Sequence, residues 1–296
     1  MKLGIIGGSG LEKIDHIEPV GMHEIDTPFG KPSAPILEGV IGGNTLYFLP
    51  RHGKGHTIMP SELNHRANIY ALKTLGVTHI LSISAVGSLQ EQYVPRDVVI
   101  IDQFYDRTKS SASHSFFGDG VVAHIAFAHP ICPCMASLAV NAAQKALSEL
   151  PESGGRRSMV HRKGTYVNME GPAFSTAAES KCYHSLGFDV IGMTNLPEAK
   201  LAREAEICYS TVAMVTDYDS WHDEHDHVTV SMIIDNFIAN VALAKKIIIH
   251  FADSFGSVGR TCSCSKALEG AVITAPEMIR PDLKTKLAPI IGRYIR

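Results

Sequence analysis

The sequence has 296 residues, 45% hydrophobic and 19% charged, with 27 Lys plus Arg against 30 Asp plus Glu for a formal net charge of -3. That is enough chain to bury a sizeable core, and the near-neutral balance leaves no electrostatic footprint for nucleic acid or an anionic membrane. No basic start leads into an apolar leader, and the apolar stretch 228–249 is interrupted by Asp235, Asn236, Asn240, Lys245 and Lys246, so a soluble cytoplasmic protein is expected.

Taken in chain order, Leu3 to Ile6 reads as a short buried strand followed by Gly7-Gly8-Ser9-Gly10. A break marked by Pro28, Gly30, Pro32 and Pro35 precedes a second strand over 44–50, which ends at Pro50 before Arg51-His52-Gly53. Ala67, Ala71, Leu72 and Leu75 recur at helical spacing between Asn64 and Leu75, and Gly76 is the natural stop. Strands are expected at 77–84 and 97–102, then a helix over 137–150. The alternation continues with strands at 164–169, 188–193 and 208–216, helices at 177–186 and 197–205, and a long helix over roughly 229–254. Strands alternating with helices along the whole length indicate a single α/β domain, residues 1–296, around a mostly parallel or mixed sheet. Its core is expected at about 2–255, with a C-terminal extension, 256–296, that either covers the ligand or packs at the periphery.

Several strand ends carry residues suited to chemistry. Glycines at 7, 8 and 10 bring backbone N–H groups close to an anion, with the Ser9 hydroxyl among them. The same stretch alone reads equally as a plain tight turn. It lacks the spacing of the dinucleotide and G-K-[ST] phosphate loops, which argues against an oxidoreductase. Arg51-His52 offers a guanidinium fork for phosphate, and Ser84-Ala85-Val86-Gly87-Ser88 closes an apolar strand where open α/β sheets place ligands. Together these ends fit one phosphate held by Ser9, Arg51, His52, Ser84 and Thr194. Met169 and Met193 follow further strands and suit a flat ligand or a sugar face, although core packing accounts for methionines equally well. Asp217 and Asp219 project the same way if their strand continues, where one could protonate a departing heterocycle and the other accept from an exocyclic amine; alone, they read as loop caps. The run His222 to His227 suggests a metal cluster, but consecutive residues cannot all converge on one ion and no H-E-x-x-H helix is present, so no metal is expected there. Six cysteines are too sparse for a disulfide scaffold; Cys132-Pro-Cys134 and Cys262-Ser-Cys264 form two C-x-C pairs, while Cys182 and Cys208 stand alone.

Read in order, GIIGGSGL (4–11), DTPFGKPSAP (26–35), PRHGKGHTIMPSELNHRANIYALK (50–73), SAVGSL (84–89), NMEGPAFSTAAES (168–180), DVIGMTNLPEAKLARE (189–204) and TDYDSW (216–221) resemble the methylthioadenosine phosphorylase branch of the trimeric purine nucleoside phosphorylase family. The resemblance runs from residue 2 to about 250. It implies a mixed, partly barrel-like central sheet flanked by helices. It further implies a phosphate site of Ser9, Arg51, His52, Ser84, Ala85 and Thr194, with Met193 under the ribose, Ser175 near the base, and Asp217 and Asp219 reading adenine. Phe174 and Val230 would wall the base and 5′ substituent, the latter joined by Ile233 and Ile234. His124 would be lent by a neighbouring subunit, which implies a homotrimer or a hexamer built from two trimers. Heat-adapted members of the branch carry disulfides and a C-terminal C-x-C, which makes Cys134, Cys208, Cys262 and Cys264 the candidate participants, their pairing open. Reduced thiols remain an alternative, and zinc held by the two C-x-C pairs ranks below both.

The activity so implied is that of a pentosyltransferase. Inorganic phosphate, a co-substrate, cleaves the N-glycosidic bond of S-methyl-5′-thioadenosine with no metal or organic cofactor. Inosine- and guanosine-preferring relatives carry Asn where this chain has Asp217, so adenine is favoured. A broader phosphorylase accepting adenosine, inosine or guanosine is the nearest alternative. A hydrolytic nucleosidase and a non-catalytic nucleoside binder are more distant ones.

Overall fold

The structure is a computed structural model that describes residues 1–8, 10–11, 17–109, 111–150, 156–222, 230–256 and 260–295, without the side chains of 111–112 and 230–233. Strand β1 (Leu3–Gly7) is buried at every position. An antiparallel meander follows, β2 (Glu18–His23), β3 (Ile36–Ile41) and β4 (Asn44–Pro50), and β4 returns parallel to β1. Helix α1 (His65–Thr74) begins where the Asn64 side chain accepts from the Ala67 N–H at 3.1 Å. Gly76, at φ 81°, turns the chain into β5 (His79–Ser88). Next come β6 (Val98–Ile100), β7 (Gln103–Arg107), α2 (Pro133–Ser148), β8 (Val160–His161) and β9 (Thr165–Met169). Helix α3 (Ala177–Ser185) opens on a reciprocal Thr176–Glu179 capping box, and β10 (Val190–Gly192) and α4 (Asn195–Glu204) follow. Strand β11 (Cys208–Tyr218), the long helix α5 (Val230–Phe255), α6 (Pro281–Lys286) and α7 (Ala288–Ile291) complete the order.

The sheet branches at β5. Along one edge β5 pairs with β11 from His79 to Ser88. Its other edge is divided: residues 79–82 lie parallel to β1, and Gly87 and Ser88 lie antiparallel to β10, leaving 83–86 between the two partners. From β11 the pairing passes to β6 and β8, the short link 162–164 leads into β9, and β9 pairs with β10, which returns to β5. That circuit is the partly barrel-like portion of a mixed sheet. Val86, Val99, Tyr166, Val190 and Val215 meet in a buried cluster drawn from five of its strands.

Alternation along the strands fixes the layers. Leu3, Ile5, Phe48 and Leu81 pack with Met135 and Ala139 of α2 and with Ile247 and Phe251 of α5. Ile6, Leu49 and Ile80 face the opposite way, onto Ile69 and Leu72 of α1 and Leu201 of α4. Each such side chain contributes about 1.5–3 kcal/mol by leaving water. Among the described residues no helix is long and apolar enough to cross a membrane.

The C-terminal segment joins the second layer through Leu268, Leu283 and Ile290. Tyr70 donates to the Lys286 carbonyl at 3.0 Å, and Glu206 accepts from the Leu268 N–H at 3.1 Å and the Tyr294 hydroxyl at 2.6 Å. The described part of 256–296 packs on this layer and does not line the cavity of its own chain.

Strands β2, β3 and β7 were not expected. Pro19 and Gly21 disguise β2, which is exposed over its first five residues and lacks an inward apolar face. Strand β5 runs on to Ser88 because pairing with β10 and β11 compensates for small residues that read as a loop. Helix α2 starts at Pro133, four residues before the expected 137, because proline suits a first helical position whose N–H needs no partner.

Candidate active site

A cavity of about 580 Å³ opens where β5 is left between its two partners, and Ile83, Ser84, Ala85 and Val86 line it. Such a volume suits a nucleoside-sized molecule. The cavity joins three wall sections: the β1 and β4 ends with the His56–Pro60 loop, the β10–α4 junction with Met169, and the end of β11 facing α5.

Arg51 lies at the first wall, 2% exposed. Its fork is largely spent on protein. Nε and Nη2 donate to the two Glu198 carboxylate oxygens at 2.5 and 3.2 Å, Nη2 also donates to Ser82 Oγ at 2.7 Å, and Nη1 donates to the Ile83 carbonyl at 3.0 Å. Of the fork's five N–H groups, these bonds leave one Nη1 hydrogen for an anion. Burial would raise the Glu198 carboxyl, but Arg51 overrides it and holds the group below the usual carboxylate range. Tyr209 donates to Glu198 at 2.9 Å and Ser82 at 2.8 Å, closing a buried, charge-neutral network.

The neighbouring imidazole of His52 is kept neutral. Burial, then the Arg51 charge, hold it down at about 4, and its Nδ1–H donates to the Ile58 carbonyl at 2.9 Å. Nε2 is therefore left with a lone pair, suited to accept from a protonated phosphate oxygen. Across the cavity, Thr194 is the N-cap of α4 with its side chain outside the cap, so the helix N-terminus presents donors to the same space. Buried Asn168 fixes that junction: its Oδ1 accepts from Leu196 N–H at 3.0 Å and its Nδ2 donates to the Met193 carbonyl at 3.2 Å.

The far wall depends on a β-bulge. On β11, Val215 opposes Val86 but Asp217 opposes Gly87, so Thr216 is the extra residue. Met214 and Thr216 face the cavity before the bulge, and Asp217 and Asp219 face it afterwards. Without that change of phase Tyr218 would follow Thr216 into the cavity. Gly87 permits the close approach, because a Cβ there would stand 3.2 Å from both Asp217 Oδ1 and Ile191 Cγ2.

Burial pushes the Asp217 carboxyl up to about 6, assisted by the Asp219 charge and opposed by Thr216, whose hydroxyl donates to Oδ2 at 2.6 Å. Burial also raises Asp219, against the Ser180 hydroxyl that donates to it at 2.5 Å. Two carboxyls facing one cavity, with hydroxyl neighbours and no counter-cation among the described residues of this wall, are both biased towards the protonated form. The chamber thus sets an acid opposite an anion cradle, as transfer of a glycosyl group from a basic heterocycle to an oxyanion requires.

Of the expected site residues, Arg51, His52, Ser84, Ala85, Met193, Thr194, Phe174, Asp217 and Asp219 all line this cavity, Phe174 from its rim at 73% exposure. Buried Ser175 sits just behind, its hydroxyl 3.8 Å from Met169 Sδ. Ser9, residues 223–227, and the side chains of Val230 and Ile233 lie outside the described residues. Ile234 does not line the cavity; it is 49% exposed, and Phe237, Asn240, Val241 and Ala244 form the α5 wall instead. Exposed His124 is not brought to the cavity of its own chain, being held on the C-terminal segment by a backbone bond to the Ala271 carbonyl at 2.9 Å.

Glu198, Asn168, Ser180 and Thr216 received no role from the sequence. All four stand inside the quoted motifs, but a carboxylate such as Glu198 in a helix's first turn reads as a solvated dipole partner until its distant arginine is known.

Away from the cavity, all six cysteines are free thiols. Cys134 does not join Cys208, Cys262 and Cys264. It faces Thr261 Oγ1 at 3.7 Å, and Cys132, the N-cap of α2, takes its place.

Residues 2–253 match the family model of the phosphorylase superfamily. The chain is 50% identical over 293 residues to the S-methyl-5′-thioadenosine phosphorylase of Geobacter sulfurreducens, covering 99% of each. It is also 50% identical to that of Gloeobacter violaceus, covering 99% of this chain and 96% of the relative. Among solved structures, a methylthioadenosine phosphorylase from an antarctic soil metagenomic library superposes with a TM-score of 0.91 at 45% identity, covering 97% of this chain and 98% of that one. The Schistosoma mansoni methylthioadenosine phosphorylase in complex with adenine superposes at 0.84 with 39% identity, covering 92% and 99%.

Proposed function

The chain belongs to the phosphorylase superfamily, and from that premise we propose that it cleaves S-methyl-5′-thioadenosine with inorganic phosphate. The products are adenine and 5-methylthio-α-D-ribose 1-phosphate. The observation that carries this reading is the placement of the buried Asp217 and Asp219 carboxyls, both raised, across one cavity from Arg51, His52, Ser84 and Thr194.

The purine binds at the acidic wall. Protonated Asp217 gives its proton to N7 as the bond between C1′ and N9 breaks and its electron pair passes to the ring. Asp219 lies in reach to accept from the exocyclic amine. The ribose, developing oxocarbenium character over Met193, is captured at C1′ by a phosphate oxygen held by Ser84, the Ala85 backbone, Thr194, Ser9 and the remaining Arg51 hydrogen. His52 Nε2 accepts a hydrogen bond from the phosphate P–OH, and Asp217 is reprotonated from solvent after adenine leaves. The α5 wall, with Phe237 and Val241, excludes water and gives the 5′ thioether an apolar surface.

Exposed His124, held away from the cavity of its own chain, supports a homo-oligomer, a trimer or a pair of trimers, in which it serves a neighbour's 5′ pocket. Sedimentation velocity and loss of activity in His124→Ala at unchanged oligomeric state test that part. The cytoplasm, which supplies free phosphate, is the compartment this reaction requires.

The decisive assay follows ultraviolet absorbance for adenine release with and without phosphate, with inosine in parallel. Strict phosphate dependence with little inosine cleavage is expected. Release at equal rate without phosphate makes the enzyme a hydrolase, and preferred inosine cleavage removes the adenine assignment.

A further inference from the structure

At the opposite end of β11 from the acidic pair, the thiols of Cys132, Cys208, Cys262 and Cys264 converge so that all four sulfurs lie within 4.8 Å of one another. A tetrahedral Zn²⁺ thiolate centre, with Zn–S of about 2.3 Å, needs sulfurs about 3.8 Å apart. Cys208 and Cys262 stand 3.3 Å apart, and small χ1 adjustments of the four side chains would equalise the set. We propose that these four cysteines form a tetrathiolate site for a soft divalent cation, Zn²⁺ by preference, which ties the C-terminal segment to the core.

The donor set argues for a metal beyond mere clustering. Four sulfurs with no competing carboxylate or water-bearing ligand select Zn²⁺ over the hard oxygen-seeking cations. The ligands come from three separate pieces of chain: the N-cap of α2, the first residue of β11, and the Cys262-Ser263-Cys264 turn that opens a short 3-10 helix. Two pieces are already locked together, the Cys132 N–H donating to the Tyr209 carbonyl at 2.9 Å, so half the site is rigid before any cation arrives. Cys132, Cys208 and Cys264 are buried at 1%, 0% and 6% exposure, whereas Cys262 is partly exposed and supplies the way in. Without a cation the thiols share protons among themselves. Binding replaces those protons: four thiols release four H⁺ and the dication takes four thiolates, a centre of net charge −2. The N-terminal dipole of the 16-residue α2, at Cys132, offsets part of that charge.

The site is structural. Cys208 and Asp217 are nine residues apart on one strand, roughly 30 Å at about 3.3 Å per residue. It reverses the order given to zinc in the sequence reading, and it rests on Cys132 standing where Cys134 was anticipated.

The test is metal analysis of the full-length protein produced with zinc supplementation and purified under a metal-free reductant. Plasma mass spectrometry should find about one zinc per chain, and a thiol titration in denaturant with chelator should find all six cysteines reduced. Cobalt exchanged into the site should give the intense visible bands of a tetrahedral thiolate complex. Cys264→Ser should weaken binding by roughly a hundredfold or more, whereas Cys134→Ser and Cys182→Ser should leave it unchanged. Should Cys264→Ser not fold, cobalt spectra and chelator competition on the unsubstituted protein decide the matter. Substoichiometric zinc with two or four thiols missing would mean disulfides and would overturn the proposal. So would zinc retained undiminished in Cys264→Ser, or six free thiols that bind neither zinc nor cobalt.

Discussion

The two sides of the cavity handle buried charge in opposite ways. On the phosphate side buried Arg51 is matched by a buried anion, Glu198, and Ser82 and Tyr209 donate to that anion. On the purine side Asp217 and Asp219 line the same wall, with the Thr216 and Ser180 hydroxyls donating to them, and both carboxyls are pushed up. The satisfied network holds shape; the unsatisfied pair holds a proton available for transfer. Architecture and chemistry are thus carried by different walls, and substitutions should separate them.

The largest effect should come from the unsatisfied wall. Asp217→Asn keeps the shape but removes the transferable proton at N7. kcat/KM for methylthioadenosine should fall about a thousandfold, with a smaller loss for inosine and little change in thermal stability. A matching loss of stability would erase the distinction between the walls.

Glu198→Gln probes the satisfied wall and should do the reverse. Leaving Arg51 buried and unpaired should cost about 3–5 kcal/mol in denaturant unfolding. The effect on catalysis should appear mainly as a raised KM for phosphate. The double variant Arg51→Met with Glu198→Leu should recover much of the stability but none of the phosphate affinity.

Phe237→Ala tests the apolar α5 surface. Selectivity for methylthioadenosine over adenosine should drop about tenfold, read as the ratio of kcat/KM values, with phosphate KM unchanged.

The smallest effect sharpens the acidic pair itself. Because burial raises the folded-state pKa of Asp217 to about 6, the acid form is full below that pH and is lost above it, so kcat/KM should fall as pH rises through about 6. Removing the donor to Asp219 with Ser180→Ala favours retention of the shared proton. The fall should move to higher pH by about half to one unit. Movement to lower pH, or none, would show that the pair does not titrate together.

Much of this was legible in the sequence. Strand ends rich in glycine and hydroxyl residues announced where ligands gather, and the order of motifs identified the family before any coordinates. What was not legible depends on partners far away in sequence. Arg51 read as a phosphate fork because nothing local reveals Glu198, 147 residues away. Ile234 was anticipated at the α5 wall but does not line it, and among the described side chains Phe237, Asn240, Val241 and Ala244 do, since helix phase against a cavity is set by packing on β11. Strand β2 was missed because it has no buried face to imprint a pattern, and the C-x-C pairs could not disclose which cysteine of each turns inward.

The bulge at Thr216 has a consequence for how such a site can change over generations. Exchanging one side chain for another along β11 retunes the chemistry and leaves the frame in place. Straightening the bulge so that Thr216 itself pairs with Gly87 would carry both aspartates out and Tyr218 in, whereas losing Thr216 would leave Val215 and Asp217 on their present partners. The site therefore has freedom in spelling and little in register. A family built on this strand should diversify its purine preference by substitution at 217 and 219 while keeping the spacing between the bulge and the acids constant.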